Sequence, residues 1–347
     1  MTSTIGSGLG GFTAIVAQPV YGAAFIPPTR APSFKSNKAT HNPHIVDGGP
    51  YLRDGVSIVG LGSAHVQTWL DATGVMQGDM TNTGEALLLA AAFGSAGTLT
   101  QSGTTTAYQL GGAGGISLGD PAKNNNQFDM QIASPDDDGL LHQFNYPSTM
   151  ITKAEWVFDR SGLVTKSYTW DAQTVQEVAA LVVVTEPGGP VPFSMASASS
   201  TFLTGTLAGE TATDGCRKAT FTIDRKQAVD RIYLGATAKQ QPVTNALVAC
   251  TVALEFDYTD QARTFMETFL TNTAQSIIAK AVGGAIGASG LSDTFSLRAT
   301  SAYIKTGGEA HLDGPDIVKN TVTLDALNDT AGDAAMQATL TSADSIF

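Results

Sequence analysis

Two stretches near the middle of the chain alternate apolar and polar side chains with a period of two, which fits a β-sheet buried on one face only. In Lys153-Ala-Glu-Trp-Val-Phe-Asp159 the apolar Ala154, Trp156 and Phe158 alternate with Lys153, Glu155 and Asp159. After the turn Arg160-Ser161-Gly162, Val164, Tyr168 and Trp170 face one way, and Thr165, Ser167, Thr169 and Asp171 face the other. The spacing predicts a long hairpin with a buried face and an acidic, hydroxyl-rich face. The same logic returns at Val248, Cys250, Val252, Leu254, Phe256 and Tyr258 against Thr251, Glu255 and Asp257. Phe221 and Ile223, set against Thr220, Thr222 and Asp224, mark a further strand.

Two segments break this rhythm. Asn82 with Glu85 three positions on has the capping-box pattern, and Ala86 to Phe93 is helix-forming sequence ended by Gly94. That helix is apolar nearly all round, so it is expected to be buried. A second helix begins at Asp260 with Thr259 as its cap; Ala262, Phe265, Met266 and Phe269 form its apolar stripe. Residues 64–77 read as strand with a turn at Gly74, residues 95–139 as strands joined by long loops, and Thr294 to Ile304 as strand again. The fold class is therefore mainly β, with helices packed on a sheet.

Residues 1–60 are dense in Pro and Gly, which favours an extended N-terminal arm; the apolar Phe12, Tyr21 and Phe25 would dock it. A mainly β domain with long loops over 61–325 and an acidic C-terminal tail over 326–347 complete the expected division. The arm carries Arg30, Lys35, Lys38 and Arg53 against Asp47 and Asp54, a net charge of four minus two, or plus two. This stands out in a chain of net charge −12. Intersubunit contacts between the arm and the acidic C-terminal segment are the corresponding expectation. Only 14% of residues are charged, which suits a surface covered by copies of itself, and no basic patch of a nucleic-acid reader is present.

Nothing in the chain has the spacing of a catalytic or metal motif. Gly6 to Gly11 lacks the strand and βαβ unit of a dinucleotide site, and Gly60-Leu61-Gly62 leads into strand sequence, so it reads as a turn. His41 and His44 lack Cys or carboxylate partners at ligand spacing. Asp136 to Asp138 lack the spaced ligands of a calcium loop, and no Gly-x-Ser-x-Gly elbow occurs. The expectation is no catalysis, no cofactor and no metal. Cys216 and Cys250 are expected to be reduced. No basic residue precedes Arg30 and no apolar run reaches membrane-spanning length, so neither a signal peptide nor a membrane span is expected.

The order of elements resembles the major tail tube proteins of siphophages that infect actinobacteria. The N-terminal part is similar in Tyr21-Gly22-Ala23-Ala24, Thr29-Arg30 and Leu52-Arg53-Asp54-Gly55, then in a hairpin near residue 70 and a buried helix ending at Phe93-Gly94. The C-terminal part is similar in Phe221-Thr-Ile-Asp-Arg225, Leu254-Glu255-Phe256-Asp257, Tyr303-Ile304-Lys305-Thr306-Gly307-Gly308 and Asp313-Gly314-Pro315-Asp316-Ile317-Val318. The resemblance implies a β-sandwich with flanking α-helices, and a virion structural protein whose hexameric rings stack into a tube, with strands from each subunit joining a β-barrel around the lumen. It implies as partners further copies of itself, the tape measure protein and DNA in the lumen, and the tail terminator and tail tip proteins, with assembly in the bacterial host cytoplasm. Glu155, Asp159, Asp171, Glu255 and Asp257 are then the expected lumen-lining residues. Phe12, Tyr21, Phe25, Arg30, Lys35 and Lys38 are the expected arm contacts between rings. A different class, a β-sandwich adhesin or capsid-decoration module acting alone, fits the composition as well and would remain monomeric or form small oligomers.

Overall fold

The computed structural model describes residues 11–47, 65–95, 99–102, 107–118, 126–135, 140–178, 181–182, 184, 189–257, 259–307, 319–328 and 334–345. The first half of the chain contributes β1 (Phe12–Gln18), β2 (Ser36–Asp47), β3 (His65–Asp79), α1 (Ala86–Phe93) and the short β4 (Leu99–Ser102), β5 (Ala107–Leu110) and β6 (Ile116–Ser117). It continues with β7 (Gln127–Pro135), β8 (Leu141–Asp159), β9 (Thr165–Ala172) and β10 (Gln176–Val178). The second half contributes β11 (Thr201–Gly205), β12 (Thr211–Ala212), β13 (Cys216–Asp224), β14 (Gln227–Ala228), β15 (Val243–Thr244) and β16 (Ala249–Asp257). Next come α2 (Asp260–Leu270), β17 (Gln275–Ala285), β18 (Ser292–Gly307), β19 (Lys319–Ala326) and β20 (Met336–Ser342).

Eight antiparallel strands run side by side in the order β2-β3-β9-β8-β13-β16-β19-β18. The expected hairpin is β8 with β9, and its alternation holds: Ala154, Trp156, Phe158, Tyr168 and Trp170 are buried. Phe221, Ile223, Cys250, Val252, Leu254 and Phe256 continue the same buried face across β13 and β16. Tyr258 lies outside the described residues. β8 is long enough to serve two layers. Its first part pairs with β7 and β10, its second with β9 and β13. β18 does the same, pairing first with β17 and β20, then with β19.

α1 is buried at all eight positions and ends at Gly94 in the left-handed conformation, as the sequence predicts. Its start differs. Glu85 occupies the N-cap without a side-chain cap bond, and the Asn82 side chain is drawn away to Asp293 and the backbone of Val191. Glu85 is buried and ion-paired with Lys166, whose side chain points from β9 into the apolar face that the alternation reserved for Val164, Tyr168 and Trp170. In α2, Phe265 is buried against Phe256; the side chains of Ala262, Met266 and Phe269 lie outside the description.

Gly74 is no turn. β3 runs straight through it, and glycine is required there by close approach, since a Cβ would collide with the Trp170 ring and the Lys38 carbonyl. The terminal segments also depart from expectation. Residues 12–18 are not a free arm: β1 pairs with β7 along its whole length. Among the described residues β2 pairs with β3 alone and forms the sheet edge. Within the expected acidic tail, β20 pairs with β18, β5 and β6. Apolar side chains at both ends of the chain, such as Ile15 and Leu340, are buried in the same core cluster.

Candidate assembly surface

The face of the eight-strand sheet opposite the core is laid out by register. One row crosses it through Gln77, Ser167, Glu155, Thr222, Thr251, Asp325 and Tyr303. A second places Asp159, Lys218, Glu255 and Thr321 side by side. Four of the five expected lumen residues, Glu155, Asp159, Glu255 and Asp257, therefore share this face and are exposed or half-buried. Asp79, Asp224 and Asp325 belong to it as well; the alternation around Phe221–Asp224 already placed Asp224 there.

The face is acidic only in part, because most carboxylates meet a cation. Lys218 lies 3.6 Å from Glu255, Arg217 2.6 Å from Asp257, Lys305 2.9 Å from Asp325 and Lys226 2.5 Å from Asp224. Hydrogen bonds from Ser161, with Lys218 nearby, hold the Asp159 carboxyl below its usual range. For Asp224, burial raises the value, but the bonds from Lys226 outweigh it and the net direction is down. Cations engaged this way have less to offer a passing phosphate, while the hydroxyls of Thr222, Thr251 and Thr321 are neutral.

Asp171 leaves the set. It is 2% exposed although it follows Thr169 in the polar register. The irregular connection between β13 and β16 folds over this end of the face and brings Lys239, itself fully buried, within 2.6 Å of Asp171 and 2.8 Å of Asp71. Burial pushes the Asp171 carboxyl up to about 6 despite Lys239. No periodicity announces Lys239, since it lies in a segment without regular structure.

The expected arm contacts divide in a similar way. Arg30 is 3% exposed and ion-pairs with Asp344 of the same chain, so the attraction between the basic arm and the acidic C-terminal segment is spent within the subunit at this pair. Phe12 is the first residue of β1. Burial of the Tyr21 hydroxyl, with the charges of Asp171 and Asp71 nearby, raises its pKa strongly. Lys35 pairs with Asp79 at 2.7 Å while remaining exposed, Phe25 is half-buried, and Lys38 is exposed.

What does project is the far end of the β2–β3 hairpin. β9 accompanies β3 only as far as Ala72, whereas the hairpin register continues to Asp47 opposite His65. This two-stranded ribbon exposes Ile45, Val46 and Val66 and is stiffened by His44 stacked on Trp69 at 3.3 Å between ring centres. His41, the other histidine of the pair set aside as a metal site, bonds the Tyr146 hydroxyl at 3.0 Å. Among the described residues no three His, Cys, Asp or Glu side chains gather as a metal site, and no helix is long and apolar enough to cross a membrane. Cys216 and Cys250 are free thiols whose pKa values burial pushes up to about 12. The motif candidates at residues 6–10, 60–64 and 136–138 lie outside the described residues.

A comparison with curated proteins finds none that matches. A family profile described as phage tail tube protein matches residues 8–345, nearly the whole of this mainly β chain, and the chain therefore belongs to the phage tail tube protein family.

Proposed function

We propose that copies of this chain close into rings that stack into the tail tube, with the polar face of the eight-strand sheet lining the lumen through which DNA leaves the virion. The observation that carries this reading is the sheet itself. One face is sealed on the core, the other bears charges already paired with one another, and β2 leaves a row of backbone groups with strand pairing on one side only among the described residues. Such an edge invites another strand unless something covers it, and closure with further copies covers it. A wall of paired charges and hydroxyls lets a polyanion slide, because strong phosphate binding requires cations free to displace counterions. The protein acts structurally in the virion tail and catalyses nothing.

Stacking falls to the projecting ribbon. Ile45, Val46 and Val66 would seat on the neighbouring ring, with the exposed Lys38 and the half-buried Phe25 as the remaining candidates from the N-terminal segment. Tape measure protein fills the lumen before ejection, terminator and tip proteins cap the two ends, and assembly takes place in the host cytoplasm. Negative-stain microscopy of the purified protein tests the reading. Tubes or rings of uniform diameter are expected. A sedimentation profile showing only monomer at high concentration, even with tail assembly partners added, would overturn it. The double variant Val46→Asp/Val66→Asp should still form rings but fail to lengthen them.

A further inference from the structure

The two halves of the chain repeat one connectivity. In the first, β1 pairs with β7, β2 with β3, β3 with β9, β9 with β8, and β8 with β7 and β10. In the second, β11 pairs with β17, β13 with β16, β16 with β19, β19 with β18, and β18 with β17 and β20. A helix follows β3 in one half and β16 in the other. The match reaches single residues. β8 skips a residue between Ile151 and Lys153 against β9, and β18 skips one between Ile304 and Thr306 against β19. β7 shifts between Phe128 and Met130, and β17 between Gln275 and Ile277. Bulges are position-specific features, so two at matching places mark true equivalence of the halves. Asp79-Met80-Thr81 before α1 and Asp257-Tyr258-Thr259 before α2 are a sequence trace of it.

The halves are joined by β8 with β13, Lys153 opposite Asp224 and Ala154 opposite Ile223. Carried through the equivalences, β8 becomes β18 and β13 becomes β2. Among the described residues β2 is an edge strand, and the end of β18, exposed from Lys305 to Gly307, pairs with β19 but has no strand where β13 sits on β8.

We propose that β18 of one copy pairs antiparallel with β2 of the next in the register of the internal junction, so that each chain supplies two successive wall positions and three chains close a ring. Thr306 would then lie opposite Asn42 of the partner subunit and Gly307 opposite His41 of the partner subunit. The inference rests on the tail-tube reading, and the width of the lumen sets the number of chains. Strands about 4.8 Å apart and tilted by roughly 40° make a barrel of two copies, sixteen strands, about 32 Å across the backbone. Inward side chains of about 5 Å on each wall leave roughly 22 Å, too tight for a hydrated duplex about 20 Å wide. Three copies give about 48 Å and leave roughly 38 Å. Three is thus the smallest number that passes DNA, and six wall positions arise from three chains where the resemblance alone implied six.

Disulfide capture tests the register, since facing residues of antiparallel strands lie within disulfide range. In a Cys216→Ala/Cys250→Ala background, Thr306→Cys with Asn42→Cys should on oxidation of assembled tubes yield linked dimers and closed trimers and nothing larger. Lys153→Cys with Asp224→Cys, the internal counterpart, should close within one chain. Microscopy of unmodified tubes should show three-fold rings with six similar wall segments, which guards against a cysteine variant that fails to fold. Tubes that form without the crosslink, linked ladders reaching six chains, or rings with six-fold identity of chains would overturn the pairing and leave the tail-tube reading standing. A chain that never assembles would overturn both.

Discussion

Asp171 shows how a charge in a polar register can end inside the protein. Its folded pKa of about 6 lies above the ordinary carboxylate value of roughly 3.9. Between those values the folded state binds the proton that the unfolded state releases. The stability it contributes is therefore full below about pH 4 and lost as pH rises through about 6. Asp171→Asn should flatten that decline, measured by urea unfolding between pH 4 and 7; an unchanged slope would assign the titration elsewhere. Gly74 makes a steric argument of the same kind. Gly74→Ala would drive a methyl into the Trp170 ring and the Lys38 carbonyl, and a backbone atom cannot swing aside. A loss of about 1–3 kcal/mol is expected in denaturant unfolding, with the strain shared between β2 and the buried Trp170 ring.

At the scale of elements, α1 depends on a single ionic contact in an apolar setting. Glu85 and Lys166 are both fully buried, and Thr81 donates a hydrogen bond to the same carboxylate. Burial raises the Glu85 pKa and the neighbouring Lys166 works against that rise. Removing one partner leaves an uncompensated buried charge, so Glu85→Ala or Lys166→Ala should each cost about 3–5 kcal/mol. The double change Glu85→Leu/Lys166→Met should cost far less than the sum, and thermal unfolding of the three variants decides it. At the other end, Arg225 donates to the Ala91 carbonyl beside Gly94, placing a cation at the negative pole of the helix. β1 is also integral. Because it pairs with β7 from Phe12 to Gln18, deleting residues 1–28 should destabilise the subunit and not merely block stacking. Circular dichroism of the deletion would separate the two outcomes.

For the whole molecule, the lumen proposal turns on net charge across one face. Glu155 and Glu255 sit on it in different rows, Glu155 opposite Thr222 and Glu255 opposite Lys218. Glu155→Lys with Glu255→Lys should leave tubes intact but supply cations without local partners. DNA release from virions carrying the variant should then slow, most at low salt, where phosphate contacts are strongest. Equal release rates at low salt would mean that this face looks outward.

Alternation along the strands determined which faces of β8, β9, β13 and β16 are buried, since a period of two depends only on the local pleat. The apolar run from Ala86 to Phe93 likewise determined that α1 is enclosed, and Gly94 where it stops. The fate of the charges was decided by tertiary structure. Asp171, Arg30 and Lys166 have the local look of surface residues, and each is buried because a distant segment supplies Lys239, Asp344 or Glu85. The arm and the acidic tail were separate only in composition; β1 and β20 entered the sheets through pairing with strands far away in the chain. The duplication was hidden for the same reason. What the halves share is backbone register and the position of two bulges, and hydrogen bonds between main chains place few demands on the side chains that carry them.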